Sequence, residues 1–326
     1  IIEAINGVAG SSIAICATAD YCIDGFTPSV VARPVTVDAI SSVMSTAHQA
    51  GLSVIPWGGG TRIALGNIPE RYDVTLDLTG IDQVIAHNPG DLTATVQAGI
   101  RVSTLQEVLA EHGQFLAVDP PLPEVATIGG TLAVGTSGPL KWHYGSVRDV
   151  VIGMRIVQAD GIVTKSGGQV VKNVSGYDMS RLHVGGLGTL GVIAEVSFKL
   201  TPLPPKETTI LFSYGDSAKA MEAALHLFGS GVMPLAITVI DARAENLVDT
   251  LDVNAHYLAV RLAGRPKTVE RMVNETRKIA ASHGRPRVNL LDHDKGSSLW
   301  RKVANFGWDS DTRPIVGVRV SVKPSL

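Results

Sequence analysis

The stretch VIPWGGGTR, residues 54–62, sets three glycines directly behind a short apolar run that ends in Pro56 and Trp57. Glycine loses more conformational entropy on folding than any other residue. Three in a row imply a backbone that must take positive φ or lie where no side chain fits. Gly58, Gly59 and Gly60 can turn consecutive N–H groups toward one point, an anion-binding nest suited to phosphate, with the Thr61 hydroxyl as a further donor. A plain tight turn accounts for the same residues, and the motif alone leaves both readings open. A Walker A loop is excluded, because the GxxxxGKS/T spacing and its lysine are missing.

The flanks place this loop between strand and helix patterns. Upstream, ARP (32–34) reads as the end of a strand, and Val37, Ile40, Val43, Met44 and Ala47 then mark one face of a helix that Gly51 ends. LSVIP (52–56) is a short buried strand leading into the glycines. Downstream, VTLDL (74–78) and TATVQAG (93–99) read as strands and RVSTLQEVLAEH (101–112) as a second amphipathic helix. Residues 117–149 are crowded with Gly, Pro, Ser and Thr and keep no period, and long irregular segments of that kind are usually functional. Strands resume with VVIGMRIVQ, a turn at Asp160–Gly161, IVTK and LGVIAEVSFKL (190–200), and TPLPP (201–205) reads as a linker. From Thr208 the order is strand, helix, strand, strand, helix, strand, which is ferredoxin-like. The expected fold class is α+β, with domains at 1–203 and 206–326. A last strand-like run, VGVRVSV, lies near the C-terminus.

The 326 residues are 45% hydrophobic and 18% charged with net charge −2, an ordinary globular composition that gives no support for a nucleic-acid partner. No apolar run reaches the ~20 residues needed to span a bilayer, and no signal-peptide pattern opens the chain. It begins with Ile rather than Met and is expected to be trimmed or partial. Cys16 and Cys22, the only cysteines, form neither a disulfide framework nor a CxxC pair, so a cytoplasmic location is expected.

Other motifs carry less. GLGTLG (186–191) matches GxGxxG, but a dinucleotide fingerprint must open a helix, and β-branched VIAEVSFKL follows instead. A glycine-lined turn that a ligand approaches remains open. The serines of TSG (136–138) and VSG (174–176) lack the GxSxG setting of a nucleophile. The nine histidines are scattered without HExxH or HxH spacing, so no metal site is expected, although His143 and His183 lie in glycine-rich loops.

TIGG (127–130), taken with PWGGGT (56–61), resembles the flavoprotein fold of vanillyl-alcohol oxidase and p-cresol methylhydroxylase, the PCMH-type FAD-binding fold. The resemblance runs in order over about residues 28–203. VIPWGGGTR resembles the family's first pyrophosphate loop, and DPPLPEVATIGGTLAVGTSG its second, flavin-cradling segment. YGSVRDVVIGMRIVQADG and KNVSGYDMSRLHVGGLGTLGVIAEVSFKLTPLP resemble the closing part of the FAD domain. The resemblance implies a two-part FAD-binding domain followed by a ferredoxin-like cap domain, truncated at Leu326. Implied FAD contacts are Pro56, Trp57, Gly58, Gly59, Gly60, Thr61, Asp119, Thr127, Gly129, Gly130, Ser137, Gly138, Tyr144, Gly145, Asp149, Gly188, Gly191 and Val192. On this reading the triple glycine is a phosphate nest, and Gly129 and Gly130 supply the second half of the cradle through their backbone.

Within the family, SGGQVVKNVSGYDMSRLHVGGLGTLG and DPPLPEVATIGG are similar to the E-subunit branch of bacterial glycolate oxidases. That implies glycolate or a similar 2-hydroxy acid as substrate, with a larger FAD subunit and an iron–sulfur subunit as partners; a free-standing FAD-dependent dehydrogenase of D-lactate or another 2-hydroxy acid and a non-catalytic FAD-bearing interaction subunit are the alternatives. It also implies a cytoplasmic protein held to the inner face of the membrane through those partners. Two departures matter. Thr61 stands where covalent members of the family carry His, so non-covalent FAD is expected. The GDGNxH segment of related 2-hydroxy-acid dehydrogenases is missing, and Tyr177, Arg181 and His183 are the nearest catalytic candidates, with a structural role the competing reading for each.

Overall fold

β-Branched and apolar residues dominate VVA, VIPW and VTLD, and each run forms a strand: β2 (Val30–Ala32), β3 (Val54–Trp57) and β4 (Val74–Asp77), after a short helix α1 (Ile2–Ala9) and β1 (Ala14–Cys16). The computed structural model describes residues 2–9, 14–16, 19–169, 177–242, 244 and 255–309. The strand-like run 316–322 and the VSG of 174–176 lie outside them. The chain divides into two compact units, Ile1–Thr136 with Ser146–Pro202, and Ser137–Gly145 with Leu203–Leu326.

In the first unit, β2, β4 and β3 run parallel and β1 is antiparallel to β2, in the order β1-β2-β4-β3. Helix α2 (Val37–Gln49) makes the crossover. The Thr36 hydroxyl caps it by accepting from the Ala39 N–H, and Val37, Ile40, Val43, Met44 and Ala47 are buried, the face that the sequence marks. The glycine loop leaves the C-terminal end of β3, beside β4, where open α/β sheets bind ligands.

A second sheet in this unit is antiparallel, in the order β5-β6-β10-β8-β9. Its strands are β5 (Val84–Asn88), β6 (Thr93–Gln97), β8 (Val151–Val157), β9 (Val163–Gly167) and β10 (Val192–Lys199). Helix α3 (Val102–Ala110) follows β6, as its apolar spacing predicts. GLGTLG leads into β10, a strand and not a helix, which rules out the dinucleotide fingerprint. Thr201–Pro202 is more than a linker: as β11 it pairs with β7 (Gln114–Phe115). The 117–149 stretch is also more ordered than its composition suggests. It holds α4 (Ile128–Val134), α5 (Lys141–Tyr144) and α6 (Val147–Val150), the first capped by the Thr127 hydroxyl and ended by Gly135 at φ +68°. Gly129 and Gly130 in the first turn of α4 hide its period. Helix α7 (Ser180–His183) completes the unit.

The second unit has β12 (Lys206–Tyr214), α8 (Ser217–Phe228), β13 (Ala236–Ile240), β14 (His256–Gly264), α9 (Pro266–Ser282) and β15 (Arg287–Leu291). Its sheet is antiparallel in the order β13-β14-β12-β15, the ferredoxin-like arrangement, and the chain is α+β as expected. Ile210, Phe212, Leu258 and Val260 pack one sheet face against α8 and α9. An unforeseen helix, α10 (His293–Asn305), brings Leu299 and Trp300 to the other face, where Trp300 Nε1 donates to Thr209 Oγ1 at 3.0 Å. Residues 137–145 group with this unit, where Trp142 meets Phe228 edge-on at 5.2 Å.

Tyr214 is buried, and its hydroxyl donates to the Ala280 carbonyl at 3.1 Å. Burial pushes its phenol from 10.0 up to about 12. The folded chain holds that proton more tightly, so the contribution is complete below the unfolded pKa and lost as pH rises through the folded one. The melting temperature of the wild type should therefore fall more steeply between about pH 10 and 12 than that of Tyr214→Phe. Parallel curves would contradict this placement of the phenol.

Candidate functional site

Strand β3 ends at Trp57, in register with Asp77 of β4. Asp77 is buried but not bare. Its Oδ2 accepts from the Tyr21 hydroxyl (2.6 Å) and from Arg33 Nε (2.8 Å), and its Oδ1 accepts from the Thr79 N–H (2.9 Å) and hydroxyl (2.6 Å). Burial alone would raise this carboxyl, but the bonds from Thr79, Tyr21 and Arg33 outweigh it and hold the group below the usual carboxylate range. The Tyr21 phenol is pushed up by burial and by the adjacent Asp77, so it stays a neutral donor. Its ring meets Trp57 edge-on at 5.1 Å. The network thus fixes the residue from which the glycine loop departs.

The three glycines have different reasons to be glycine. A Cβ on Gly58 would lie 2.2 Å from Thr127 Oγ1, and one on Gly59 would lie 1.9 Å from the Val125 carbonyl oxygen. Gly60 alone of the three has positive φ, +69°, and a Cβ there would lie 2.9 Å from the Trp57 ring. The first two therefore let the 125–127 segment seat against the loop, and the third makes the turn. Among the described residues, the N–H groups of Gly59, Gly60 and Thr61 make no hydrogen bond to protein.

These residues wall a cavity of about 660 Å³ within the first unit. Of the expected contacts, Pro56, Gly58, Gly59, Gly60, Thr61, Thr127, Gly130 and Gly188 line it. Trp57, Gly129, Gly191 and Val192 line an adjoining one of about 60 Å³. Much of the larger wall is apolar, including Ile55, Ile63, Val134 and Leu187, and Arg62 stands in it as a cation that motif reading passed over. The Thr131 hydroxyl, in a buried residue of the same wall, makes no hydrogen bond to protein among the described residues. A mostly apolar cleft with backbone donors at one end and hydroxyls on its wall suits a flat aromatic ligand carrying phosphate.

Several expected contacts have other partners. The Gly129 N–H donates to the Ala98 carbonyl (2.7 Å) and the Gly130 N–H to Thr127 Oγ1 (3.2 Å), so neither supplies the second backbone half of a cradle; what stands there is hydroxyls. Asp119 precedes Pro120 and Pro121, which line the cavity, but is not itself in its wall. The Asp149 carboxylate accepts from the Ser146 N–H (2.8 Å) and hydroxyl (2.7 Å), which lowers its pKa and makes it the cap of α6. Ser137, Gly138, Tyr144 and Gly145 fall in the second unit, where Tyr144 lies near the Arg261–Glu207 pair. Nor do Tyr177, Arg181 and His183 enter the cavity wall. Tyr177 is 92% exposed, Arg181 pairs with Asp178 at 2.6 Å, and burial lowers the His183 pKa.

The glycine packing is directly testable. Gly59→Ala should lower stability by about 1–3 kcal/mol and cut FAD uptake, because the new methyl has no room. Gly90→Ala, where nothing lies within 4 Å of the added Cβ, should leave both within error. Thermal melts and flavin content of the two purified variants check this, and equal behaviour would refute the close packing.

Comparison with known proteins agrees with this geometry. Residues 28–167 match the family model described as an FAD binding domain. The chain is 31% identical over 214 residues to glycolate oxidase subunit GlcD of Bacillus subtilis, covering 66% of this chain and 46% of that one. It is 30% identical over 291 residues to mitochondrial D-lactate dehydrogenase [cytochrome] 1 of Saccharomyces cerevisiae, covering 85% and 49%. With glycolate oxidase subunit GlcE of Escherichia coli it is 43% identical over 131 residues, covering 40% and 37%. The chain spans about half or less of these relatives' lengths. Among solved structures, substrate-bound p-cresol methylhydroxylase superposes with a TM-score of 0.73 at 17% identity, covering 94% of this chain and 71% of that one. With the glycine-walled cavity, these likenesses identify residues 28–167 as an FAD binding domain and give the chain the fold of p-cresol methylhydroxylase.

Proposed function

We propose that this chain is the FAD-bearing subunit of an enzyme that oxidises glycolate to glyoxylate. The observation that carries the reading is the cavity at the end of β3, where, among the described residues, the N–H groups of Gly59, Gly60 and Thr61 have no protein acceptor beside an apolar wall. Those donors and the Thr61 hydroxyl would hold the pyrophosphate, Thr127 and Thr131 would hydrogen-bond the cofactor along the wall, and Ile55, Ile63 and Val134 would exclude water from it. When bound, FAD supplies the acceptor for the electron pair that leaves the substrate's carbinol C–H bond. Among the described residues, neither cavity wall contains a cysteine or histidine, which supports non-covalent attachment.

Taking glycolate to glyoxylate also needs a base for the hydroxyl proton and a cation for the carboxylate. Since Tyr177, Arg181 and His183 lie off the cavity wall, we assign substrate handling to a larger FAD subunit. An iron–sulfur subunit would take the electrons onward. The names of the GlcD and GlcE relatives support a subunit role and a 2-hydroxy acid as substrate. Among the described residues no helix is long and apolar enough to cross a membrane, and we place the protein in the cytoplasm, at the membrane's inner face only through such partners. A free-standing dehydrogenase of D-lactate or another 2-hydroxy acid is the second reading. It is favoured by the match to the yeast D-lactate dehydrogenase, which covers 85% of this chain.

An anaerobic visible spectrum of the FAD-loaded chain separates the two. The flavin should stay oxidised when glycolate or D-lactate is added to the isolated chain and bleach with glycolate once a larger subunit is present. Bleaching by D-lactate in the isolated chain would establish the second reading instead.

A further inference from the structure

Two helices of the second unit bring a histidine together at their C-terminal ends. His226 stands in the last turn of α8, and His283 caps α9. Their rings meet edge-on with centroids 5.2 Å apart, and His226 Nδ1 lies 3.0 Å from His283 Nε2. The two are 57 positions apart in the chain, a separation that no HxH or HExxH spacing reveals.

Behind the pair, His283 Nδ1 lies 3.6 Å from Oε2 of Glu222, which stands one turn before His226 on α8. The carboxylate favours the His283 tautomer with its proton on Nδ1, and that leaves the Nε2 lone pair turned toward His226. A carboxylate that orients an imidazole from its far nitrogen is the outer support of many metal sites. The local field favours a cation too, because each helix C-terminus carries about half a negative charge. The spacing fits as well. Two imidazole nitrogens held by one metal at about 2.0–2.1 Å lie about 2.8–3.4 Å apart, for ligand angles between square and tetrahedral. None of the three residues lines either of the cavities described above.

We propose that His226 and His283 form a binding site for a divalent transition-metal cation, which ties the end of α8 to the end of α9. His226 Nδ1 and His283 Nε2 each give one lone pair, and water fills the remaining positions. To do so, His226 moves its ring proton from Nδ1 to Nε2, so no net proton is released and no electron is exchanged. Among the described residues no three His, Cys, Asp or Glu side chains are grouped to hold a metal, so Glu222 orients His283 and does not ligate. Imidazole suits Ni²⁺ and Zn²⁺, whereas Mg²⁺ takes oxygen ligands.

The whole chain, purified without a histidine tag, is titrated calorimetrically with Ni²⁺, Zn²⁺ and Mg²⁺ and then melted with and without Ni²⁺. The wild type should take up one Ni²⁺ or Zn²⁺ ion and no Mg²⁺, and Ni²⁺ should raise its melting temperature. His226→Gln and His283→Gln should each lose the site, and Glu222→Gln should weaken it about tenfold or more. His87→Gln should keep it: His87 and His112 also meet edge-on, at 4.9 Å, but His87 Nε2 is bonded to Gln114. If His283→Gln fails to fold, His226→Gln, at an exposed position, carries the test. No uptake by the wild type, unchanged affinity in a folded His226, His283 or Glu222 variant, or loss of uptake in His87→Gln overturns the proposal. The pair is then a hydrogen bond between two helix ends.

Discussion

The seat of the 125–127 segment against the glycine loop is the constraint on which the cofactor site depends. A single carbon added at Gly58 or Gly59 would fall 2.2 Å from Thr127 Oγ1 or 1.9 Å from the Val125 carbonyl. The loop belongs to the exit of the parallel sheet, while Thr127 caps α4 and Arg101, beside it, bridges to Thr127 from the exit of the antiparallel sheet. The close approach therefore joins the two halves of the FAD-binding unit. It leaves the N–H groups of Gly59, Gly60 and Thr61 at the cavity wall with no protein acceptor among the described residues. Trp57, held edge-on by a Tyr21 that bonds Asp77, sets the loop's starting direction.

Much of this architecture was legible in the sequence. The apolar face of 37–47 and the β-branched runs gave the first crossover, and the strand-helix order after Thr208 gave the ferredoxin-like sheet. What stayed hidden has local causes. Helix α4 starts with two glycines, which break the apolar period by which helices are recognised, so its cap at Thr127 was the only signal. Helix α10 buries only Gly296, Leu299 and Trp300, too sparse a face to read. Strand β11 includes a proline, which a single sequence reads as linker.

The site was legible as residue types more than as roles. The glycine loop and Thr127 do line one cavity, but Gly58 and Gly59 are glycine because protein packs against them, a fact visible only once the 125–127 segment is in place. The Gly129 and Gly130 N–H groups bond to protein, and the Asp149 carboxylate caps a helix. On the proposed reading, a site built from backbone donors needs no phosphate-binding lysine motif: the peptide dipoles would bear the charge in place of a side chain.

The claim that the loop anchors FAD through its pyrophosphate can be tested by calorimetric titration of the apo-protein with FAD and with riboflavin, which has the same ring system and no phosphate. Charge-assisted bonds from several N–H groups predict FAD binding at least about 100-fold tighter than riboflavin. Equal affinities would contradict the account and put the anchoring on the apolar wall alone.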